Sequence, residues 1–360
     1  MKIVAAGILL VIASIVPPAA GGGSAAPPED RPRMEKLADG VWAWVRRDPP
    51  GLMVDGNSLV IVNDRDVVVV DAPEATTGVV AELRRITSKP VSYVVHTHWH
   101  DDHITGDHVY REHWPSVEFV GHASLREYLP TTGAANRKGM IEGAPKFVES
   151  LKKLVAEGKS PAGGEITDEE RRGYESDFAL VDRYMQEVPG APLILPTLTV
   201  EDGLTLHRGD RTIEILHLGR GHTSGDLVVW LPKERILAAG DLVGSPIPLV
   251  GSNQSHVGDW GATLAKLRAL HPAMIVPGHG PVMRDDAQAA LMQTLFDSIR
   301  AQVGAAVAKG SDLEGVRKAV DISEFRRKFA GDSKHLGFLF DRYVTGPAVE
   351  SAYRDATGAK

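Results

Sequence analysis

Four histidines and two aspartates occupy eight consecutive positions, His96-Thr97-His98-Trp99-His100-Asp101-Asp102-His103, directly after the β-branched stretch 91–95. Imidazole nitrogen and carboxylate oxygen are the ligands that zinc and similar divalent ions favour. In extended chain, side chains two apart point the same way, so His98 and His100 can grip one ion together. Asp102 and His103 are neighbours and reach a common ion only where the backbone turns. The cluster therefore divides into two half-sites, each short of four ligands, and other parts of the chain must supply the rest. Three places qualify. Gly219-Arg220-Gly221-His222-Thr223-Ser224-Gly225-Asp226 sets His222 in a glycine-rich turn, Ala239-Gly240-Asp241 sets a carboxylate at a strand end, and Pro277-Gly278-His279-Gly280-Pro281 holds His279 in a rigid turn.

Positioning these groups requires strands that end where the ligands begin. Trp42 to Val45, Ser58 to Val62, Val67 to Asp71 and Val91 to Val95 read as strands, and Thr76 to Ile86 as a helix with Val79, Val80, Leu83 and Ile86 on one face. Asp55-Gly56 reads as a hairpin turn that needs positive φ. In the second half Leu193 to Leu195, Leu204 to Leu206, Thr212 to Leu216, Leu227 to Leu231, Ile236 to Ala239 and Ala273 to Val276 read as strands, and Trp260 to Leu270 as a helix. Two such halves suggest two sheets packed face to face with helices outside. Between them lies a helical insert. Lys146 to Ala156 has helical spacing, and Thr167-Asp168-Glu169-Glu170 is a capping box opening a helix that Pro189-Gly190 ends. A long helix is expected after Asp285.

The ordered series His-x-His-x-Asp-His, Gly-His-Thr-x-Gly-Asp, Gly-Asp and Pro-Gly-His-Gly, running from about Met34 to Pro281, resembles the metallo-β-lactamase-fold hydrolase superfamily. The resemblance implies an α/β (α+β) fold, an αββα sandwich of two mixed β-sheets with helices on both outer faces, here with a helical insert and a helical C-terminal extension. It implies that His98, His100 and His222 bind a first zinc ion, that Asp102, His103 and His279 bind a second, and that Asp241 bridges them. Asn57 and Asp71 fit the family's N-terminal pattern in structural roles. Bound ions lower the pKa of water to about 7, and Asp102 or water protonates the leaving group. The first cluster continues as Ile104-Thr105-Gly106, where many members have x-Gly-Gly. With no cysteine in the chain, the ligand set is similar to that of glyoxalase II and related esterases and lactonases. The implied function is hydrolysis of an ester, thioester, lactone or amide, β-lactams included. The iron-dependent sulfur dioxygenases of the same fold stand as the competing class.

Bulk properties agree with a globular enzyme. The 360 residues are 43% hydrophobic and 24% charged, and the formal charge of -7 argues against a nucleic-acid binder. Met1-Lys2, the apolar run Ile3 to Val16 and Pro17-Pro18-Ala19-Ala20-Gly21 read as a secretory signal, too short to span a bilayer. The expected organisation is a signal peptide and lead-in over 1–26, the family domain over 34–284 with its insert at about 123–192, and an extension over 285–360. The mature protein is expected to be periplasmic or secreted, without a stable membrane anchor, and to act on a small molecule. Other histidines take other roles: His96 supports the ligands or the structure, His108, His113 and His122 pack or lie on the surface, and His217 sits in a strand, while His256, in the loop after Asp241, is within reach of the substrate mouth without being assigned to it. Ser150-Leu151-Lys152-Lys153 matches Ser-x-x-Lys by chance, on an amphipathic helix.

Overall fold

The computed structural model describes residues 32–46, 51–52, 55–251, 253 and 255–358. The proposed signal segment lies outside the described residues, as do Met53 and Val54 of the proposed hairpin. The chain runs through β1 (Arg33–Ala38), β2 (Val41–Val45), β3 (Ser58–Val62), β4 (Val67–Val70), α1 (Thr76–Ile86), β5 (Val91–Val95), α2 (Asp101–Ile104), α3 (Asp107–His113), β6 (Glu118–His122) and α4 (Ala123–Tyr128). A π-helical turn, Leu129–Gly133, leads into α5 (Ala134–Ala156), followed by α6 (Asp168–Glu187) and β7 (Leu198–Val200). The second half holds β8 (Gly203–Arg208), β9 (Arg211–Leu216), β10 (Val228–Leu231), β11 (Ile236–Gly240), α7 (Val257–Ala269) and β12 (Met274–Pro277). Five α-helices and a second π-helical turn follow among the described residues: α8 (Ala287–Ala308), α9 (Leu313–Ala319), α10 (Ser323–Ala330), α11 (Lys334–Phe340), the turn Asp341–Thr345, and α12 (Gly346–Thr357).

The strands form two mixed sheets, as the resemblance implies. A seven-stranded sheet runs in chain order from β1 to β7, and a five-stranded sheet has the order β12-β11-β10-β9-β8. The pairs β4·β5, β5·β6, β6·β7 and β11·β12 are parallel and the others antiparallel. Alternation along the strands sorts the apolar side chains into layers. Leu59, Ile61, Val68, Val70 and Val95 meet Ile213, Ile215, Val229, Leu231 and Ala238 between the sheets. Val60, Val67, Val69 and Val94 face Val79, Val80 and Leu83 of α1. On the far side Val228, Trp230, Leu237 and Ile275 are covered by α7, α8 and the C-terminal helices, and Leu151, Val155 and Tyr174 of the insert join that same cluster. Phe296 of α8 is fully buried there, stacked on Trp260 with ring centroids 4.5 Å apart. Phe296→Ala is expected to cost about 3–5 kcal/mol, read as a lower urea midpoint with an unchanged slope.

Several elements differ from the sequence expectation. Leu193 to Leu195 is not a strand; Pro192 and Pro196 flank it, and without N–H groups they cannot feed a ladder. The strand forms three residues later, at β7, and pairs with β6, which the Glu-Phe-Val-Gly-His stretch did not suggest. Helix α5 begins well before Lys146 and passes through Pro145. Ala144 and Val148, on either side of that proline, are buried with Val181 of α6, and this packing outweighs the lost backbone bond. The capping box at α6 is present, with Glu170 N donating to Thr167 Oγ1 at 3.2 Å and Thr167 N to Glu170 Oε2 at 2.7 Å.

Candidate metal centre

Strand ends and the turns beyond them deliver the chemistry. The 96–103 segment leaves β5, His222 lies between β9 and β10, Asp241 follows β11, and His279 follows β12. All seven residues proposed from the sequence come together. Ligand atoms of His98, His100, His222 and Asp241 lie within 4.8 Å of one another, as do those of Asp102, His103 and His279. Asp241 straddles both groups. Its Oδ2 is 3.2 Å from His222 Nε2 and 3.8 Å from His98 Nε2, and its Oδ1 is 3.3 Å from His103 Nε2 and 3.2 Å from His279 Nε2.

The outward nitrogens are pinned by neighbours that can only accept. His222 Nδ1 donates to Leu249 O at 2.9 Å, His103 Nδ1 to the Asp71 carboxylate at 2.8 Å, and His279 Nδ1 to Asp55 O at 3.2 Å. Such partners fix the tautomer and leave the inner nitrogens as donors to a metal. Those inner atoms face one another: His100 Nδ1 is 2.8 Å from His222 Nε2 and 3.1 Å from His98 Nε2. Burial and nearby imidazoles hold His98 well below its usual pKa and His100 at about 3; burial also lowers His222. Burial opposes charge on His103 and His279 as well, but there Asp102 and Asp241 prevail, and His279 rises to about 10. Asp241 Oδ1 and Asp102 Oδ2 are buried and accept no well-directed hydrogen bond. The neutral imidazoles of His98, His100 and His222, and His103 and His279 facing the unsatisfied oxygens of Asp102 and Asp241, make a donor set that divalent cations fit, a bound cation taking the place of the protons on the last two histidines.

Buried polar contacts hold this set in place. Asp71, at φ 60°, accepts from Thr97 N at 2.7 Å and Thr97 Oγ1 at 2.8 Å besides His103. Asn57 Nδ2 donates to Pro277 O at 3.0 Å and Gly280 O at 2.8 Å, gripping the His279 turn. Asp226 closes the His222 turn by accepting from Thr223 N and from Thr223 Oγ1, the latter at 2.7 Å. The Asp55-Gly56 expectation is corrected: Gly56 does not have positive φ, and glycine is needed because a Cβ would lie 2.6 Å from Asp102 O. At Gly278 a Cβ would overlap Asp241 Oδ1. Gly278→Ala is therefore expected to lower metal content per chain, measured by elemental analysis, while leaving far-ultraviolet dichroism unchanged.

Sequence reasoning missed the roles of Asp101, Arg137, Tyr184 and Glu74. Asp101, between two of the proposed ligands, accepts from Arg137 Nη2 at 2.6 Å and from Tyr184 OH at 2.6 Å. Arg137 is on α5 and Tyr184 on α6, so the insert is tied to the metal loop. Glu74 is buried with Oε2 unpartnered. No local pattern announces such long-range partners. The other histidines take varied places. His96 turns away and pairs with Asp107 at 3.1 Å. His217 lies just past β9, not in it, and donates to Asp226 O at 3.0 Å. His256 is not in the wall of the cavity beside the donor set; it meets Ser224 at 2.9 Å and Asp355 at 3.3 Å.

A profile of the metallo-beta-lactamase superfamily matches residues 53–279. The chain belongs to that superfamily. Among its relatives are a linear primary-alkylsulfatase of Pseudomonas sp. (strain ATCC 19151), 28% identical over 59% of this chain and 39% of the relative, and a metallo-beta-lactamase type 2 of Bacteroides fragilis, 30% identical over 31% and 45%. The chain thus spans less than half the length of either relative. A metallo-beta-lactamase from Pontibacter korlensis superposes with a TM-score of 0.50 at 19% identity, covering 74% of this chain and 99% of that one. That likeness shows the superfamily fold.

Proposed function

We propose that this chain is an exported, zinc-dependent hydrolase with a dinuclear centre that cleaves an ester, thioester, lactone or amide. The observation that carries the reading is Asp241, whose two oxygens each face a separate group of inward-turned donors. His98, His100 and His222 would hold one ion and Asp102, His103 and His279 the other, with Asp241 between them. Zinc bound there supplies Lewis acidity and an activated water. The chain's own part is to orient and to move protons. Leu249 O, Asp71 and Asp55 O keep His222, His103 and His279 in register. Asp102, with 15% of its side chain exposed and bordering the cavity, is the member of the set placed to take a proton and return it to the leaving group.

The test joins elemental analysis with a substrate panel of cephalosporin, thioester, lactone and phosphodiester. A primary alkyl sulfate is added because one relative carries that activity in its name. Two zinc ions per chain with hydrolysis support the proposal; a single iron with oxygen uptake overturns it. Among the described residues no helix is long and apolar enough to cross a membrane. Export rests on the segment 1–26 and is checked by sequencing the mature N-terminus, where an intact Met1 would refute it.

A further inference from the structure

The donor set borders a cavity of about 300 Å³, at the small end of ligand pockets. His100, Asp102, His222 and Asp241 form part of its wall, so a molecule in contact with the centre also enters this space. The rest comes from distant segments: Leu52 beside the family motifs, Trp99 within them, Met140 and Leu180 from the insert, Leu249 from the loop before α7, and Tyr343 from the C-terminal helices. These are large apolar surfaces held firmly. Tyr343 OH donates to Leu52 O at 2.7 Å, and Leu52 N donates to Asp177 of α6 at 2.7 Å, so three segments are joined around the space. Among the described lining residues there is no lysine or arginine. Of the acidic groups in the wall outside the donor set, Asp101 is already paired with Arg137, and Glu74 has an unpartnered buried oxygen.

We infer that this cavity takes an uncharged apolar limb of the substrate, an alkyl or acyl chain, and turns away a limb that ends in a carboxylate. The inference names the substrate class for the hydrolase proposed above and rests on that reading for the reacting bond. An alkyl chain gains by leaving water for the walls of Leu52, Met140, Leu180 and Leu249. A carboxylate in the same place would lose its hydration with no lysine or arginine among the described wall residues to meet it. Selection therefore comes both from the apolar contact and from the lack of a lysine or arginine among the described wall residues.

The experiment is calorimetric titration of the full zinc-loaded chain with straight-chain alkyl hydroxamates from two to eight carbons, whose metal-binding head is constant. A parallel series of 1-alkanols needs no metal. Affinity is expected to tighten by up to about fourfold per methylene in both series until the cavity fills. Met140→Trp should make the gain stop at a shorter chain. A hydroxamate bearing a terminal carboxylate should bind at least about tenfold more weakly than its methyl-ended counterpart of equal length. Affinity indifferent to chain length, or equal binding of the carboxylate-ended compound, would overturn the inference. Alkanol affinity that climbs with length in a protein showing no hydrolysis would sink the hydrolase reading and leave the inference standing. Hydrolysis with a flat length dependence would do the reverse.

Discussion

Asp241→Ala is expected to lower turnover by more than about 100-fold and to reduce bound metal, with little change in secondary structure. Replacing a residue that merely supports a ligand typically costs 10–100-fold, and Asp241 faces both donor groups at once. Its two oxygens lie 3.2 Å from His222 and His279, so alanine removes a contact from each group and the negative charge between them. Asp241→Asn keeps the shape and one oxygen, and should fall between. Elemental analysis, kcat and the urea midpoint, taken on the same preparation, separate a lost ligand from a lost fold. Full activity with full metal in the alanine variant would contradict the assignment.

Asp71→Ala should weaken zinc affinity by about 10–100-fold and destabilise the chain by about 3 kcal/mol or more. The carboxylate serves Thr97 N, Thr97 Oγ1 and His103 Nδ1 at 2.7 to 2.8 Å, all in a buried place. Alanine would leave those donors without a partner and would also stand at φ 60°, which β-carbon-bearing residues seldom adopt. Asparagine tolerates that conformation better. Asp71→Asn should therefore recover much of the stability but little of the zinc affinity, because an amide no longer supplies the negative charge opposite His103. Competition titration with a chelator gives the affinity and urea unfolding the stability. If both variants bound zinc as the parent does, the His103 contact would have no bearing on the metal.

The donor set was legible because metal binding accepts so few residue types. His98, His100, Asp102 and His103 announce themselves by density, and His222, Asp241 and His279 by sitting in glycine turns at strand ends. The central strands of both sheets were legible from β-branched apolar runs bounded by turns and α6 from Thr167 and Glu170, but β1, β6 and β7 were not. What escaped was whatever depends on partners far along the chain. Arg137 and Tyr184 gain their meaning only when α5 and α6 fold onto Asp101. Leu193 to Leu195 looks like a strand until its flanking prolines are set against a ladder. Gly56 was read as a turn because a glycine needed for positive φ and one needed for close approach look the same in sequence. The cavity wall was legible in part: the sequence points to the segment from Leu52 to Asn57, the helical insert and the loop from Leu242 to Trp260 as cleft walls, and Leu52, Met140, Leu180 and Leu249 do line it, whereas Tyr343 carries no local mark.

The Tyr343 to Leu52 hydrogen bond carries a consequence for biosynthesis. Translation delivers every member of the donor set by position 279, but Tyr343, which joins the cavity wall to Leu52, emerges only after all of them. A nascent polypeptide therefore displays its histidines and carboxylates before the cavity beside them has its full wall.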